Sequence, residues 1–328
     1  MKFYDKKEAV RYMNQLGISG RPFIFVVDYK QEKVWVEEPE SVDSDELQYD
    51  LNGFTNVIQV TTELPEKQVV WDTDPVSYEA YSRSFGIVSE NIHAGNSYLV
   101  NLTCATPVRT NLTLKEIFEC SRAPYKLWVK DRFVVFSPEI FVRIENGFIY
   151  SYPMKGTIDA SFPDASEHIL ADRKEEAEHA TIVDLIRNDL SQQASEVTVT
   201  RYRYIEELQT NRGRLLQVSS EIRGKLAEDW QASLGDILFS LLPAGSITGA
   251  PKKKTMEIID EAETYERGFY TGVMGYFDGR KLDSAVMIRF LEQQGAKLWF
   301  KSGGGITSRS DLQSEYNEMK QKVYVPIY

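Results

Sequence analysis

The order of apolar and polar positions changes character several times along the chain. Over residues 21–72 short apolar runs (PFIFVVDY, KVWVEE, TNVIQV) alternate with polar stretches and a proline-containing break, which predicts a β-rich region with surface loops. Around Tyr78–Ala94 the apolar spacing becomes helical. Strands dominate from Ser97 to about Tyr152 (SYLVNLTCATPV, YKLWVK, RFVVFS, FVRI, FIYSY), interrupted by a short helix over Leu114–Cys120, and Asn146-Gly147 predicts a tight hairpin. A helix is expected over about Arg173–Asp189, where acidic residues crowd the first turns as the macrodipole favours, and another near Ala232–Leu242. The stretch PAGSITGAPK reads as a loop, with Pro251 opening the helix KKKTMEIIDEAE. A meander follows: YTGVMGYF, an Asp278-Gly279 turn, KLDSAVMIRF and KLWFKSGGG. The final helix is expected to be capped by Ser310, with Gln313 three residues on. Long strands mixed with helices on both sides of position 150, without a repeat or a low-complexity linker, predict an α+β body.

Composition narrows this picture. The chain has 328 residues, 42% of them hydrophobic, which excludes disorder and supplies one large core or two smaller ones. The 38 Lys+Arg against 49 Asp+Glu leave a net charge of −11, and no basic run offsets it, so neither nucleic acid nor an anionic membrane is an expected partner. A small anionic ligand would need local positive charge from a cation, a basic side chain or a helix N-terminus. Two cysteines and three histidines are too few and too scattered for a zinc ribbon, a disulfide framework or an HExxH protease. That usage suits a reduced compartment. The start MKFYDKKEAV lacks an apolar core, and the longest apolar run, near Ile237–Leu242, is far shorter than a membrane span, so a cytoplasmic protein is expected.

Helical geometry makes four glutamates conspicuous. In the 173–189 helix, Glu175 and Glu178 lie within about 60° of Ile182, Leu185 and Ile186 and share the inward face. In the last helix, Glu315 and Glu318 sit roughly 60–120° to one side of the apolar stripe of Leu312, Tyr316, Met319 and Val323, on its shoulder. Two such pairs could hold a hard cation such as Mg²⁺, which takes a few carboxylates, several waters and an anionic ligand oxygen. Acidic i,i+3 pairs are also common on solvated faces, and spacing alone does not separate the two cases. Gly245-Ser-Ile-Thr-Gly-Ala-Pro-Lys252 sets glycines, hydroxyls and a lysine at a helix N-terminus, where free N–H groups favour an anion, but its spacing is not that of a Walker A loop. Ser302-Gly303-Gly304-Gly305 lacks the βαβ setting of a dinucleotide fold. Arg289 could pair bidentately with a carboxylate or serve as a structural ion-pair partner. Lys155, before a Gly156-Thr157 turn, could be solvated, or held in a dry pocket where desolvation lowers its pKa and frees the amine.

Five segments, EHATIVDLIRNDLS (178–191), PAGSITGAPKKKTMEIIDEAE (243–263), RGFYTGVMGYF (267–277), SAVMIRF (284–290) and SGGGI (302–306), resemble the chorismate-utilising enzymes in order and spacing. The resemblance covers roughly residues 75–328, leaving 1–74 as a shortened N-terminal part of one two-sheet body. It implies two packed antiparallel sheets with helices outside and Mg²⁺-bound chorismate between them. It further implies Glu178 and Glu318 as direct metal ligands, with Glu175 and Glu315 acting through water. Arg289, the amides of Gly303, Gly304 and Gly305, Thr248 and Lys252 would meet the substrate carboxylates. Pro153-Met-Lys-Gly-Thr157 is similar to the P-I-K-G-T of the branch that makes aminodeoxychorismate, whereas anthranilate synthases have alanine at the lysine position. In that branch the lysine, here Lys155, adds at C2 of chorismate and expels the C4 hydroxyl. Ammonia then enters at C4 and expels the lysine, and Glu139, in Ser137-Pro138-Glu139, matches the general acid.

Isochorismate and salicylate synthases carry a water-activating lysine where this chain has Leu99. Where many members have histidine beside C4 this chain has Gln217, which can hydrogen-bond a hydroxyl but cannot carry a proton. The resemblance therefore implies amination of chorismate at C4, on the route to p-aminobenzoate and folate, with ammonia from a separate glutamine amidotransferase subunit. An anthranilate synthase and a catalytically silent chorismate-binding subunit are the alternatives.

Overall fold

Apolar residues on both faces of the central strands require cover on both sides, and two antiparallel sheets packed face to face with helices outside provide it. In the computed structural model the described residues are 2–57, 69–210 and 213–327. The first sheet runs, neighbour to neighbour, Phe3–Tyr4, Val34–Glu37, Phe23–Val27, Val273–Phe277, Leu282–Val286, Ile140–Glu145, Phe148–Ser151, Gly213–Lys225 and Met154–Asp159, with Ser195–Thr210 also laid along Gly213–Lys225. The second runs Gly249–Ala250, Leu99–Thr110, Lys297–Ile306, Phe290–Gln294, Phe133–Ser137, Tyr125–Val129, Leu47–Leu51 and Phe54–Thr55, with Trp71–Thr73 on Leu99–Thr110. These pairings are antiparallel.

The strand FIFVV shows how the layers form. Ile24 and Val26 point between the sheets, where they meet Leu127, Val135 and Phe290. Phe23, Phe25 and Val27 point outward, under Ala9, Met13 and Leu16 of the helix Lys6–Ile18 and Ile237 and Leu238 of the helix Leu234–Leu241. Alternation puts successive side chains on opposite faces, so a strand buried on both sides is apolar throughout. On the far side, the helices Tyr78–His93, Lys252–Ala262 and Leu312–Gln321 cover Val100, Leu102 and Ile306. This is the α+β, two-sheet arrangement expected from the sequence.

Several local expectations are corrected. The helix Lys6–Ile18 was not anticipated, although Ala9, Met13 and Leu16 recur at helical spacing and the Asp5 side chain accepts from the Glu8 amide at its start. The strands of the first 74 residues extend both sheets: Phe3–Tyr4, Phe23–Val27 and Val34–Glu37 join the first, and Leu47–Leu51, Phe54–Thr55 and Trp71–Thr73 the second. The end of the TNVIQV run and the proline-containing break after it lie outside the described residues. PAGSITGAPK is not all loop, because Gly245–Thr248 makes one helical turn, and Pro251 is the cap of the helix Lys252–Ala262 rather than its first residue. The last helix is capped by Asp311, which accepts from the Ser314 amide at 2.9 Å, not by Ser310, whose hydroxyl donates instead to Glu315. The carboxylate next door is the stronger acceptor for an N-terminal amide.

Candidate active site

One cavity of about 550 Å³ draws on both sheets and on the two glutamate-bearing helices. Lys155 enters it from the strand Met154–Asp159. The register against Gly213–Lys225 slips between Lys155 and Thr157, and Gly156 has φ +77°, so Gly156-Thr157 is a β-bulge inside a continuing strand and not the predicted turn. A bulge re-aims the side chain beside it, and only glycine adopts that φ freely. Glycine is needed a second time, since a Cβ at position 156 would stand 3.3 Å from Glu175 Oε2.

Lys155 Nζ lies 3.1 Å from Glu178 Oε2. Burial alone would lower its pKa, but Glu178, and behind it Glu175 and Glu318, more than reverse the effect and hold it above an ordinary lysine. The amine is therefore kept as an ammonium, contrary to the desolvated lysine weighed from the sequence. Glu175 and Glu178 come from the helix Arg173–Leu190, Glu315 and Glu318 from Leu312–Gln321, and all four line the cavity. Ser310 donates to Glu315 Oε1 at 2.7 Å, which orients that carboxylate.

The three glycines of the strand Lys297–Ile306 have separate reasons. A Cβ at Gly303 would collide with the Leu102 carbonyl at 2.2 Å. At Gly304 it would enter the space bounded by Glu315 Oε2 (3.4 Å), Glu318 Oε1 (3.5 Å) and Lys322 Nζ (3.7 Å). At Gly305 it would meet Leu99 Cδ1 at 3.0 Å and Lys155 Nζ at 3.5 Å. Lys322, which the sequence reading missed, lies 2.6 Å from Glu318 Oε1 and donates to the Gly303 carbonyl at 2.8 Å. Its only signal was the i,i+4 spacing from Glu318.

Glu139 reaches the cavity just beyond the strand Phe133–Ser137, where the Ser246 hydroxyl donates to its carboxylate. Burial pushes its pKa up, and Ser246, Lys155 and Arg289 only partly counter that. Arg289 adopts φ +54° between the strands Leu282–Val286 and Phe290–Gln294, lines the cavity and lies over the Tyr324 ring. Gln217 stands opposite Thr157 in register and donates to Met154 Sδ. Tyr270 and Ser246, not singled out beforehand, also line the wall. Behind it Arg267 and Glu263, side chains both 2% exposed, form an ion pair of 2.6 Å. The guanidinium also donates to the carbonyls of Ile247 and Asn101, two lining residues.

Two expected residues are not brought into the cavity. Thr248 is fully buried and lies outside its lining. Lys252 is committed elsewhere: its ammonium lies 2.7 Å from Asp189 Oδ2 and donates to the Leu241 carbonyl, tying the helix Lys252–Ala262 to the end of Arg173–Leu190. A helix N-terminus made it look like an anion ligand, but a partly buried carboxylate within reach takes the charge.

The lining carries six acidic groups (Glu139, Glu175, Glu178, Asp189, Glu315, Glu318) and four basic ones (Lys155, Arg289, Lys301, Lys322). A second anion would enter this cavity at high electrostatic cost unless a cation came with it. Among the described residues no group of three or more His, Cys, Asp or Glu side chains is assembled closely enough to hold a metal ion. Glu315 and Glu318 border the space at Gly304, and Glu175 and Glu178 line the same cavity, so the donors present are all carboxylate oxygens, a chemistry that fits a hard cation which keeps waters and takes ligand oxygens. Among the described residues no helix is long and apolar enough to cross a membrane.

Comparison with known proteins agrees with this geometry. The chorismate binding enzyme family matches residues 5–327. An uncharacterized PabA-like protein of Pasteurella multocida is 51% identical over 318 residues, covering 97% of this chain and 98% of the relative. Anthranilate synthase component 1 of Acetivibrio thermocellus is 34% identical, covering 76% of this chain and 52% of the relative. Aminodeoxychorismate synthase component 1 of Salmonella typhimurium is 32% identical, covering 77% and 58%. The menaquinone-specific isochorismate synthase MenF of Escherichia coli, 16% identical, superposes with a TM-score of 0.75 over 98% of this chain and 82% of its own, which shows the shared fold.

The placement of Lys252 has a measurable consequence. Lys252→Met should lower the unfolding free energy by about 2–4 kcal/mol in urea titrations near neutral pH, because it strands a partly buried carboxylate. Ligand affinity should change by less than about two-fold, as expected for a group outside the site. A large loss of affinity with unchanged stability would instead make Lys252 a ligand residue.

Proposed function

This chain belongs to the chorismate-binding enzyme family, and on that premise we propose that it is an aminodeoxychorismate synthase, the component that aminates chorismate at C4. The carrying observation is Lys155, held by the Gly156 bulge in the cavity among four glutamates, in the strand position where an anthranilate synthase would have alanine. Leu99 also supports the reading: at the place of a water-activating lysine it presents an apolar side chain next to Lys155, and ammonia needs no base to become a nucleophile.

In this reading chorismate lies with one carboxylate toward Arg289 and the other toward the Gly303–Gly305 strand and Lys322. Lys155, whose ammonium is held among the cavity carboxylates, first gives up a proton to solvent. Its amine then forms a bond to C2, both ring double bonds shift, and the C4–O bond breaks. Glu139, whose raised pKa favours the protonated form, gives its proton to the departing hydroxyl, which leaves as water. Ammonia adds at C4, both double bonds shift back, the C2–N bond to Lys155 breaks, and the extra proton returns to the protein. Gln217 hydrogen-bonds near C4 without exchanging protons. Glu178 and Glu318, with Glu175 and Glu315 behind them, would hold Mg²⁺, which when bound supplies Lewis-acid stabilisation of the substrate carboxylate. The ammonia is proposed to come from a separate glutamine amidotransferase subunit in the cytoplasm.

Sequence likeness to anthranilate synthases keeps a second reading in play, and product identity decides between them. With chorismate, Mg²⁺ and an ammonium salt, chromatography should show 4-amino-4-deoxychorismate as the main product, and Lys155→Ala should lose at least about a hundred-fold in rate, as expected for a covalent nucleophile. Anthranilate as the main product would overturn the assignment.

Glu139 sets a pH dependence. A general acid is lost as it ionises, so at constant free ammonia the rate should fall as pH rises through the raised pKa of Glu139. Glu139→Gln should lower the rate by about 10²–10⁴ and abolish that limb. Persistence of the limb in the variant would assign it to another group.

A further inference from the structure

In the described structure the glutamate site is already partly neutralised from within. Lys155 stands against Glu178 on one side. On the other, Lys322, just past the end of the helix Leu312–Gln321, stands 2.6 Å from Glu318 Oε1. The two ion pairs differ in setting. In Lys155–Glu178 the side chains are 26% and 11% exposed, whereas in Lys322–Glu318 they are 27% and 51% exposed, so the second pair opens toward solvent. The space beside it, above Gly304, is bounded by Glu315, Glu318 and Lys322. That is the space a cation held by these carboxylates would use, and an ammonium borders it.

We propose that Lys322 is a built-in stand-in for the divalent cation: it neutralises Glu318 while the cation is away and must be displaced when the cation arrives. This rests on the reading that the four glutamates hold a hard cation. An ammonium gives a carboxylate hydrogen bonds and one unit of charge, whereas a divalent ion draws in several carboxylate oxygens at about 2.0–2.1 Å. When both stand at the Glu318 carboxylate, their like charges repel at this range. The displaced ammonium stays in the cavity, since its second hydrogen bond is to the neutral carbonyl of Gly303 in the glycine strand. There it adds positive charge for an incoming dianion. Cation and dianion thus bind with mutual reinforcement through Lys322, and such coupling is necessarily reciprocal.

The stand-in role predicts that removing the lysine charge strengthens cation binding in the absence of substrate, the reverse of losing an ordinary ligand-binding residue. Mn²⁺ binding to the whole chain, followed by electron paramagnetic resonance at fixed pH without chorismate, reads this directly. Lys322→Gln should bind Mn²⁺ roughly ten-fold or more tightly than the parent, the size expected from deleting one unit charge a few ångströms from the site. Lys322→Arg, which keeps the charge, should remain near the parent, and circular dichroism should show all three folded alike. Equal or weaker Mn²⁺ binding by Lys322→Gln, with binding by the parent intact, overturns the stand-in role alone. If neither the parent nor Lys322→Gln binds Mn²⁺, the glutamate cation site fails and the proposal falls with it.

Discussion

Lys155 lies 3.1 Å from Glu178 in a cavity that four further glutamates share, and this concentration of carboxylate charge is the constraint the rest of the site answers. Like charges in a partly dry interior repel far more strongly than in water, so each carboxylate needs a counter-charge or hydrogen-bond donors. Lys155 and Lys322 supply counter-charges, and Ser310 supplies a donor to Glu315. The result is an acidic pocket whose carboxylate charge its own basic groups balance only in part. A dianion enters such a pocket together with a divalent ion more easily than alone.

The fold meets this constraint with rigid parts. The long strand Gly213–Lys225 pairs with three neighbours, and against it the bulge at Gly156 turns Lys155 inward. At Gly304 a side chain would enter the space beside Glu315 and Glu318, while at Gly303 and Gly305 it would strike Leu102 and Leu99 of the neighbouring strand. The Arg267–Glu263 pair braces the wall through the carbonyls of Asn101 and Ile247. The ion pair of Lys252 with Asp189 fixes one glutamate helix to the neighbouring helix. These two ion pairs therefore position groups that line the cavity.

Helical periodicity was enough to place Glu175 and Glu178 on an inward face, because that pattern is local. Their meeting with Glu315 and Glu318 depends on two helices far apart in sequence, and only the family-like motifs pointed to it. The glycine run was legible as unusual, but the reason for each glycine lies in neighbours on other elements. Lys252 shows the opposite failure: its position at a helix start suggested an anion site, while its partner Asp189 is brought near only by the fold. Lys322 was invisible for a similar reason, since four residues after a glutamate is also the spacing of an ordinary surface pair. The helix Lys6–Ile18 escaped because its apolar face is short and its remaining positions are mostly polar.

What distinguishes this account is that Lys155 itself becomes bonded to the substrate. Intact-protein and peptide mass spectrometry of the enzyme mixed with chorismate and Mg²⁺, with ammonium left out, tests that most directly. The account predicts an adduct of chorismate less one water on the peptide containing Lys155, discharged when ammonium is added. Turnover with ammonium but without any such adduct, or an adduct on another residue, would contradict it.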